Sequence, residues 1–304
     1  MSTDATASRR WGRVGVGIAA PPTPAAVWRA ELARLEAMPY GSMWINELIG
    51  DREVFSQLGM VLAATDRIVV GTGVAVMWAR HGASMQAGAA TLADAYPGRL
   101  ALGLGVSSRS MAERAGHAYG KPLTEMRAYL DQMDAATGQA VRPAVPFPRL
   151  LGALGPRMLE LARDRADGAY PHTMPVENTA QARRVLGPDK LLVTGVGVFL
   201  GDPGRAHAML REHPLFRMPG SPYAAQLRRL GYAEEEITGE GAPSARIIDA
   251  VFACGDEAAV AARVREHLDA GADHVVVQPF GPSLPGLVDQ LDRLAPYLAP
   301  IQAG

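Results

Sequence analysis

Short apolar runs alternate along the chain with longer segments in which apolar and polar residues mix at helical spacing. The clearest case lies at residues 67–108. An apolar, β-branched run at 68–70 and a second apolar run at 100–106 flank a segment of small residues at about 83–95. Runs that are apolar at every position are typical of parallel strands buried on both faces, and the segment between them is long enough for a crossover helix. This stretch therefore predicts a strand, a helix and a second strand.

The same unit recurs from one end of the chain to the other. Eight apolar runs predict strands, and they lie at residues 14–19, 42–46, 68–70, 100–106, 150–153, 168–171, 191–200 and 274–278. Segments with helical spacing predict helices at residues 25–37, 54–65, 83–95, 123–135, 156–165, 180–186, 205–212, 247–253, 257–270 and 284–298. Eight strands with helical crossovers predict an α/β fold of the (β/α)8 type, a TIM barrel, with insertions after strands four and seven.

The whole barrel is expected to be one domain at residues 11–304, preceded by a disordered tail at residues 1–10. The insertion after strand seven, at about residues 213–244, is expected to carry its own helices. In a TIM barrel the loops that follow the carboxyl ends of the strands carry the functional residues. Candidate site residues are therefore sought in those loops.

Composition narrows the classes of function. The chain has 304 residues, of which 48% are hydrophobic and 20% charged, so it can bury a large core. The formal net charge is −1, and no charge excess favours nucleic acid or an anionic membrane as a partner. No apolar run approaches the ~20 residues of a membrane span, the first residues lack a hydrophobic signal core, and Cys254 is the only cysteine. We expect a cytoplasmic protein without disulfides.

Several catalytic chemistries lack the residues that they need. The seven histidines form no H-x-H or H-E-x-x-H motif, so no metal site is predicted. No G-x-S-x-G motif is present to make a nucleophile elbow. The two lysines, Lys121 and Lys190, lie in a loop and at the start of a strand, which are poor positions for a Schiff base at the barrel mouth.

Four predicted strands carry a G-x-G motif. The pairs are Gly15/Gly17, Gly71/Gly73, Gly103/Gly105 and Gly195/Gly197. Residues two apart on a strand face the same side, so each pair removes two side chains from one face. The pairs either serve the packing of the barrel or, at Gly73 and Gly105, leave room for a flat ligand. Gly15 to Ala20 also matches the dinucleotide fingerprint, but prolines follow where its helix should begin, so that interpretation is discarded.

The order of several longer motifs carries a resemblance to a known family. The motifs are WINE at 44–47, GTGVAVMWARH at 71–81, LADAYPGRLALGLGVS at 92–107, GHAYGKPLTEMRAYLDQMD at 116–134, LGALGPRMLELARDRADGAYP at 151–171 and HLDAGADHVVVQ at 267–278. From about residue 11 to residue 298 the chain resembles the bacterial luciferase-like family. Within that family it is most similar to an actinobacterial branch of coenzyme F420-dependent oxidoreductases. The resemblance implies a TIM barrel that binds a flavin or deazaflavin at its carboxyl-terminal mouth, and a homodimer.

The resemblance also implies roles for particular residues. A non-proline cis peptide is expected at Gly73-Val74, against which the cofactor ring would lean. The turn that begins at Gly155 is expected to bind the cofactor phosphate at a helix amino end. The implied cofactor-binding residues are Asn46, Gly73, Val74, Trp78, Gly105, Val106, Ser107, Gly155, Pro156, Arg157 and Met158. The candidate catalytic residues are Glu47, His117 and His172.

Two departures from the family pattern concern the catalytic positions of one subgroup, and a third replaces the frequent R-x-P before the third helix with Arg80-His81-Gly82. Sugar-phosphate dehydrogenases of the family place a catalytic His after strand two and a Glu after strand four, where this chain has Leu48 and Ser108. A sugar-phosphate substrate is therefore not expected. The substrate pocket is expected to form from the loop after strand four and from residues 216–232.

The function predicted from the sequence is hydride transfer between C5 of coenzyme F420 and a small organic substrate. The first alternative is an FMN-dependent monooxygenase or reductase on the same fold. The second alternative is a flavin-binding relative without catalytic activity, which the departures at Leu48 and Ser108 leave open.

Overall fold

Parallel strands close into a barrel in the computed structural model, which describes residues 11–213 and 221–303. The strands are β1 Val14–Ile18, β2 Ser42–Ile45, β3 Val69–Thr72, β4 Ala75–Val76, β5 Leu100–Gly105, β6 Arg149–Leu151, β7 Gly168–Ala169, β8 Leu191–Leu200, β9 Phe252–Gly255 and β10 His274–Pro279. Their order is β10-β1-β2-β3-β5-β6-β7-β8, and pairing of β8 with β10 closes the ring. The short β4 continues β3 beyond a bulge and pairs with β5. The predicted TIM barrel is confirmed.

Helices surround the barrel and cover the outer faces of its strands. They are α1 Ala25–Ala37, α2 Val54–Ala63, α3 Gly82–Ala95, α4 Arg109–Arg114, α5 Pro122–Ala136, α6 Pro156–Arg165, α7 Val176–Leu186, α8 Pro203–Leu210, α9 Pro222–Arg229, α10 Glu234–Thr238, α11 Ala245–Val251, α12 Glu257–Asp269 and α13 Leu284–Ala303. Helix α4 lies in the insertion after the fourth barrel strand, where the sequence analysis had predicted no helix. No helix in the described ranges is long and apolar enough to cross a membrane.

The inside of the barrel is filled by large side chains for which the glycines make room. Trp11, Trp44 and Tyr170 belong to the interior cluster, and the rings of Trp11 and Trp44 lie 5.6 Å apart. A methyl group on Gly71 would come within 2.5 Å of the Trp44 ring, and one on Gly195 would overlap the ring of His172. Barrel packing, the first of the two interpretations of the G-x-G pairs, therefore holds at Gly71 and Gly195.

One predicted helix ends early, and its last two residues belong to a strand. The segment predicted as a helix over residues 247–253 forms α11 only to Val251, and Phe252 begins β9. Strand β7 is two residues long and pairs with the first residues of β8 only. The later half of the ten-residue β8 consequently has a free edge, and β9 pairs there in parallel from Gly197 to Leu200. The extra strand satisfies backbone groups that the short β7 leaves without partners.

The insertion after β8 carries helices α9 and α10 within its described part. These helices form a second apolar cluster with α8, α11 and β9, to which Leu227, Ile237 and Phe252 contribute fully buried side chains. The prediction of a tail at residues 1–10, and the prediction of a substrate-pocket role for residues 216–220, lie outside the described residues. The cluster holds the insertion against the barrel mouth on the side of β7 and β8.

Candidate cofactor site at the barrel mouth

A backbone bulge occupies the carboxyl end of β3. The Gly73-Val74 peptide bond is cis, as the family resemblance had led us to expect. The Gly73 N–H donates to the Ile45 carbonyl at 2.8 Å, and the Glu47 N–H donates to the Val74 carbonyl at 3.2 Å. Hydrogen bonds with the end of β2 and with the loop after it therefore hold both residues of the bulge. Gly73 and Val74 are each half-buried, so the bulge is open to the mouth.

The side chain of Val74 covers the space that the glycines of β5 leave. A methyl group on Gly105 would overlap Val74 Cγ2, and one on Gly103 would overlap the Thr72 carbonyl while lying 3.4 Å from Val74 Cγ1. One of the two interpretations of Gly105 was that it leaves room for a flat ligand to lie against the backbone. The structure corrects this interpretation, because the apolar surface at the mouth is the valine side chain seated over Gly105.

Two buried polar atoms next to the bulge have no hydrogen-bond partner among the described residues. They are Asn46 Oδ1 and the hydroxyl of Tyr170. A methyl group on Gly73 would lie 3.1 Å from Tyr170 Cε1 and 3.4 Å from Asn46 Oδ1, so both side chains border the bulge. Burial raises the pKa of Tyr170 well above its usual range, which keeps the phenol as a hydrogen-bond donor. Buried polar groups are nearly always paired, so these two suit a polar ligand at this place.

Tyr170 is the residue at the centre of the mouth that sequence reasoning missed. It follows the two-residue β7 directly, at the carboxyl end of a barrel strand, where polar side chains are candidates on this fold. The position of Tyr170 at the end of a strand could have pointed to the site. However, strand six had been predicted to run to residue 171, so Tyr170 was counted as a core residue of that strand.

The side chain of Glu47 forms an ion pair and accepts a backbone hydrogen bond beside the bulge. Its Oε2 accepts from the Val76 N–H at 2.7 Å and from Arg80 Nη1 at 3.0 Å, and its Oε1 accepts from Arg80 Nη2. Arg80 also pairs with the more exposed Glu53 at 2.9 Å. Both oxygens of Glu47 are thus occupied, and the contacts favour a role in holding β4 in place. A catalytic role for Glu47 stays a prediction.

Trp78 and His117 line one side of the mouth. Trp78 Nε1 donates to the Val106 carbonyl at 2.6 Å, and the rings of Trp78 and His117 lie 5.7 Å apart. Ser107 has a left-handed backbone (φ 59°) and is exposed. A cavity of about 580 Å³ extends outward from this wall, bounded by the loop after β2, by the turn Met77–Ala79 and by α5. The exposed His117 faces this cavity and is free to meet a ligand.

His172 lies on the opposite side, with both ring nitrogens hydrogen-bonded. Nε2 is 2.8 Å from Gln278 Oε1, and Nδ1 is 2.5 Å from the hydroxyl of Thr173. The amide oxygen of Gln278 can only accept, so Nε2 carries the proton and Nδ1 accepts from Thr173. Burial lowers the pKa of His172 to about 4. The imidazole is therefore neutral near pH 7.

The turn at Gly155 begins helix α6 without a side-chain cap. Pro156 occupies the first turn of the helix, where a missing N–H costs nothing. Arg157 is exposed, and Met158 is half-buried against the main core. The first N–H groups of a helix lack partners within the helix, so this end suits an anion. In the part of the chain that the structure describes, no group of three or more His, Cys, Asp or Glu residues could hold a metal ion.

Comparison with known proteins identifies the family. The model of the luciferase-like monooxygenase family matches residues 12–274. The chain belongs to the luciferase-like monooxygenase family. It is 27% identical over 297 residues to a 5,10-methylenetetrahydromethanopterin reductase from Methanolobus tindarius, a match that covers 84% of this chain and 91% of that protein.

Two solved structures illustrate the shared fold. An F420-dependent secondary alcohol dehydrogenase in complex with an F420-acetone adduct has a TM-score of 0.72 and 15% identity, covering 94% of this chain and 99% of that one. The oxygenating constituent of 3,6-diketocamphane monooxygenase from Pseudomonas putida, in complex with FMN, has a TM-score of 0.65 and 15% identity, covering 95% and 98%. The family match and the related reductase, rather than these two structures, make this luciferase-like protein an enzyme of the oxidoreductase class.

In this luciferase-like protein the predicted site residues fall into three groups around the mouth. Asn46, Glu47, Gly73 and Val74 meet at the bulge. Trp78, Gly105, Val106, Ser107 and His117 form one side, and His172 with the turn from Gly155 to Met158 lies on the other. The two departures at the catalytic positions of the subgroup have plain roles: Leu48 is 52% exposed on the wall of the cavity, and the hydroxyl of Ser108 caps α4.

Proposed function

We propose that this luciferase-like enzyme is an F420-dependent oxidoreductase that transfers a hydride between C5 of the deazaflavin and a small organic substrate. The observation that most supports this is the bulge, where the apolar side chain of Val74 lies beside two buried polar atoms without partners, Asn46 Oδ1 and the Tyr170 hydroxyl. A flat tricyclic ring with a polar edge presents the matching groups. The reductase and the F420-dependent dehydrogenase among its relatives support the same choice.

The residues at the mouth fit such a cofactor. Val74 would support the ring face, Asn46 would accept from a ring N–H, and Tyr170 would donate to a ring carbonyl. The uncapped amino end of α6 and the exposed Arg157 would hold the phosphate. When bound, the deazaflavin supplies a carbon that accepts or gives a hydride, and the protein supplies binding, orientation and exclusion of water.

Among the three candidate catalytic residues, His117 is the one with an exposed side chain. A hydride delivered to a carbonyl or imine requires a proton for the heteroatom, and a donor must reach it directly or through one water. Glu47 has both oxygens in hydrogen bonds, and His172 is held neutral with its Nε2–H bonded to Gln278. His117 is exposed on the cavity wall beside Trp78, so we propose His117 as the group that carries the proton.

Equilibrium titration tests the cofactor assignment. The protein is mixed with increasing F420, and in parallel with FMN, while absorbance difference spectra are recorded. Tight binding of F420, followed by oxidation or reduction of the bound deazaflavin with carbonyl, imine or alcohol substrates, is the expected result. Failure of both cofactors to bind below millimolar concentration would show that the proposal is wrong.

The alternative that keeps support is an FMN-dependent monooxygenase or reductase. A similar fold binds FMN in the diketocamphane enzyme, and the phosphate site at α6 would serve FMN equally. Binding of FMN with no binding of F420 would decide for this alternative. Tight binding of either cofactor with no turnover on any substrate class would instead favour a flavin-binding protein without catalytic activity.

A further inference from the structure

One face of helix α9 runs from the centre of the barrel mouth toward the amino end of α6. Gln226 is three positions after Tyr223 and three before Arg229, so on the helix surface it is a neighbour of both. Tyr223, in the first turn of α9, is half-buried and packs against the second apolar cluster, which also contains Met174. The first turn of α9 therefore lies on the side of the mouth that the segment after β7 forms.

The last turn of α9 reaches the amino end of α6. A methyl group on Gly155 would lie 3.3 Å from Arg229 Nη1 and 3.5 Å from Gln226 Oε1. Gly155 thus leaves room for these two side chains where the first N–H groups of α6 have no side-chain cap. Arg229 Nη1 donates to Gln226 Oε1 at 3.4 Å, a long bond to a neutral acceptor.

Among the described residues, no carboxylate forms an ion pair with Arg229. The adjacent Arg228 provides a contrast on the same helix, because its guanidinium pairs with Glu234. An exposed arginine beside an uncapped helix end is a strong local concentration of positive charge. Such a place suits an anion that can accept two hydrogen bonds from one guanidinium, such as a phosphate.

A buried group of amides fixes Gln226 beside this place. Gln226 is fully buried, and its Nε2 donates to Asn178 Oδ1 at 3.0 Å and to Gln181 Oε1 at 2.8 Å. The amide nitrogen of Asn178, also fully buried, has no hydrogen-bond partner among the described residues. The unpaired donor belongs to an amide group that is linked through Gln226 to the amino end of α6, and such a buried donor favours an acceptor near this group.

We infer that Arg229, supplied by the insertion, completes the phosphate site of the bound cofactor together with the amino end of α6. This inference rests on the proposed function. It assigns Arg229 and Gln226 to the cofactor, whereas the sequence had assigned residues 216–232 to the substrate pocket. F420 and FMN both carry a phosphate on the chain attached to the ring, and that phosphate is the group that Arg229 would contact.

Paired ligands with and without phosphate test the inference. Dissociation constants are measured by difference spectra or fluorescence for F420 and its phosphate-free riboside, and for FMN and riboflavin. For the cofactor that wild type binds, Arg229→Gln is expected to raise Kd for the phosphorylated form by about tenfold or more, because a charge-assisted bond is lost. The phosphate-free form is expected to bind within about twofold of wild type.

Two further variants serve as controls. Arg228→Gln removes the same charge one residue away and is expected to leave all dissociation constants unchanged. Arg229→Lys keeps the charge and is expected to retain most of the affinity for the phosphorylated form. A circular dichroism spectrum checks that each variant is folded.

The outcomes separate the inference from the proposed function. Binding of a phosphorylated cofactor that is equally tight in wild type and Arg229→Gln would overturn the inference and leave the proposed function standing. Equal weakening of the phosphorylated and phosphate-free forms would also overturn it, because the loss would not concern the phosphate. Failure of wild type to bind either F420 or FMN would overturn both.

Discussion

A single methyl group at Gly105 is expected to disturb the bulge at the barrel mouth. In Gly105→Ala the new methyl group would overlap Val74 Cγ2. Neither residue can move freely, because Gly105 pairs with β4 and the carbonyl of Val74 is hydrogen-bonded in the bulge. We expect a loss of stability of about 1–3 kcal/mol and weaker cofactor binding. Chemical denaturation and cofactor titration measure the two effects.

Gly138 provides the matched control for this substitution. A methyl group on Gly138 would meet no atom within 4 Å, and the residue lies beyond the end of α5. Gly138→Ala should leave both stability and cofactor affinity close to wild type. If Gly105→Ala behaved in the same way, the packing of Val74 over Gly105 would not matter for the site.

The buried ion pair at Glu47 gives a second prediction at the residue scale. Glu47→Gln leaves the guanidinium of Arg80, whose side chain is 13% exposed, with only the partly exposed Glu53 as a charged partner. Because an uncompensated buried charge is costly, we expect a destabilisation of about 1–3 kcal/mol. Glu53→Gln removes the exposed arm of the same network and should cost no more than about 1 kcal/mol. Loss of turnover in Glu47→Gln with unchanged stability would instead indicate a catalytic carboxylate.

The limits of prediction at this scale follow from which neighbours a residue meets. The motif around Gly73 was sufficient to expect the cis bond, because the resemblance attaches that feature to the local sequence. The local sequence did not reveal the role of Gly105, because the space beside Gly105 is filled by Val74, which lies more than thirty positions earlier in the chain. Glu47 likewise meets Arg80 only when the loops after β2 and β3 are brought together.

At the scale of elements, continuous apolar runs predicted the barrel strands but could not separate a helix end from a short strand. Residues 247–253 are apolar at helical spacing, and nothing local marks the change at Phe252. The change is caused by the free edge of β8, which exists because β7 is only two residues long. Pairing of strands distant in sequence therefore decided the outcome, and a single-sequence pattern does not contain it.

Helix α9 yields a prediction for an element as a unit. Leu227 is fully buried in the second apolar cluster and anchors α9 against the barrel mouth. Leu227→Ala should destabilise the protein by about 2–4 kcal/mol, with faster amide exchange in α9. If α9 carries the phosphate contact, the variant should also weaken binding of the phosphorylated cofactor more than that of its phosphate-free form.

Leu130, which is fully buried in α5, is the control for that prediction. Leu130→Ala should cost a similar free energy of unfolding but change the affinities for the two cofactor forms equally. An equal change in Leu227→Ala would show that α9 does not discriminate between them.

For the molecule as a whole, repetition of the strand-helix unit was sufficient to predict the TIM barrel. Eight such units predict a closed ring of parallel strands. In such a ring the carboxyl ends of all the strands lie at the same mouth. The same repetition carries no information about surfaces, so the expected homodimer stays a prediction. The pattern also did not predict which polar side chains are buried. Three histidines are packed inside the molecule, namely His172, His267 and His274.

These histidines predict how the stability of the whole molecule depends on pH. Burial lowers the pKa of His172 and His274 to about 4 and that of His267 to about 3, against 6.5 in the unfolded chain. Between about pH 6.5 and pH 4 the unfolded chain therefore binds protons that the folded protein does not. Stability is full above pH 6.5 and falls as pH decreases, by up to about 1.4 kcal/mol per pH unit for each histidine. Denaturation midpoints across this range measure the slope, and His267→Gln should reduce it because one proton fewer is taken up on unfolding. A flat profile between pH 6.5 and pH 4 would mean that these side chains take up protons as readily in the folded protein as in the unfolded chain.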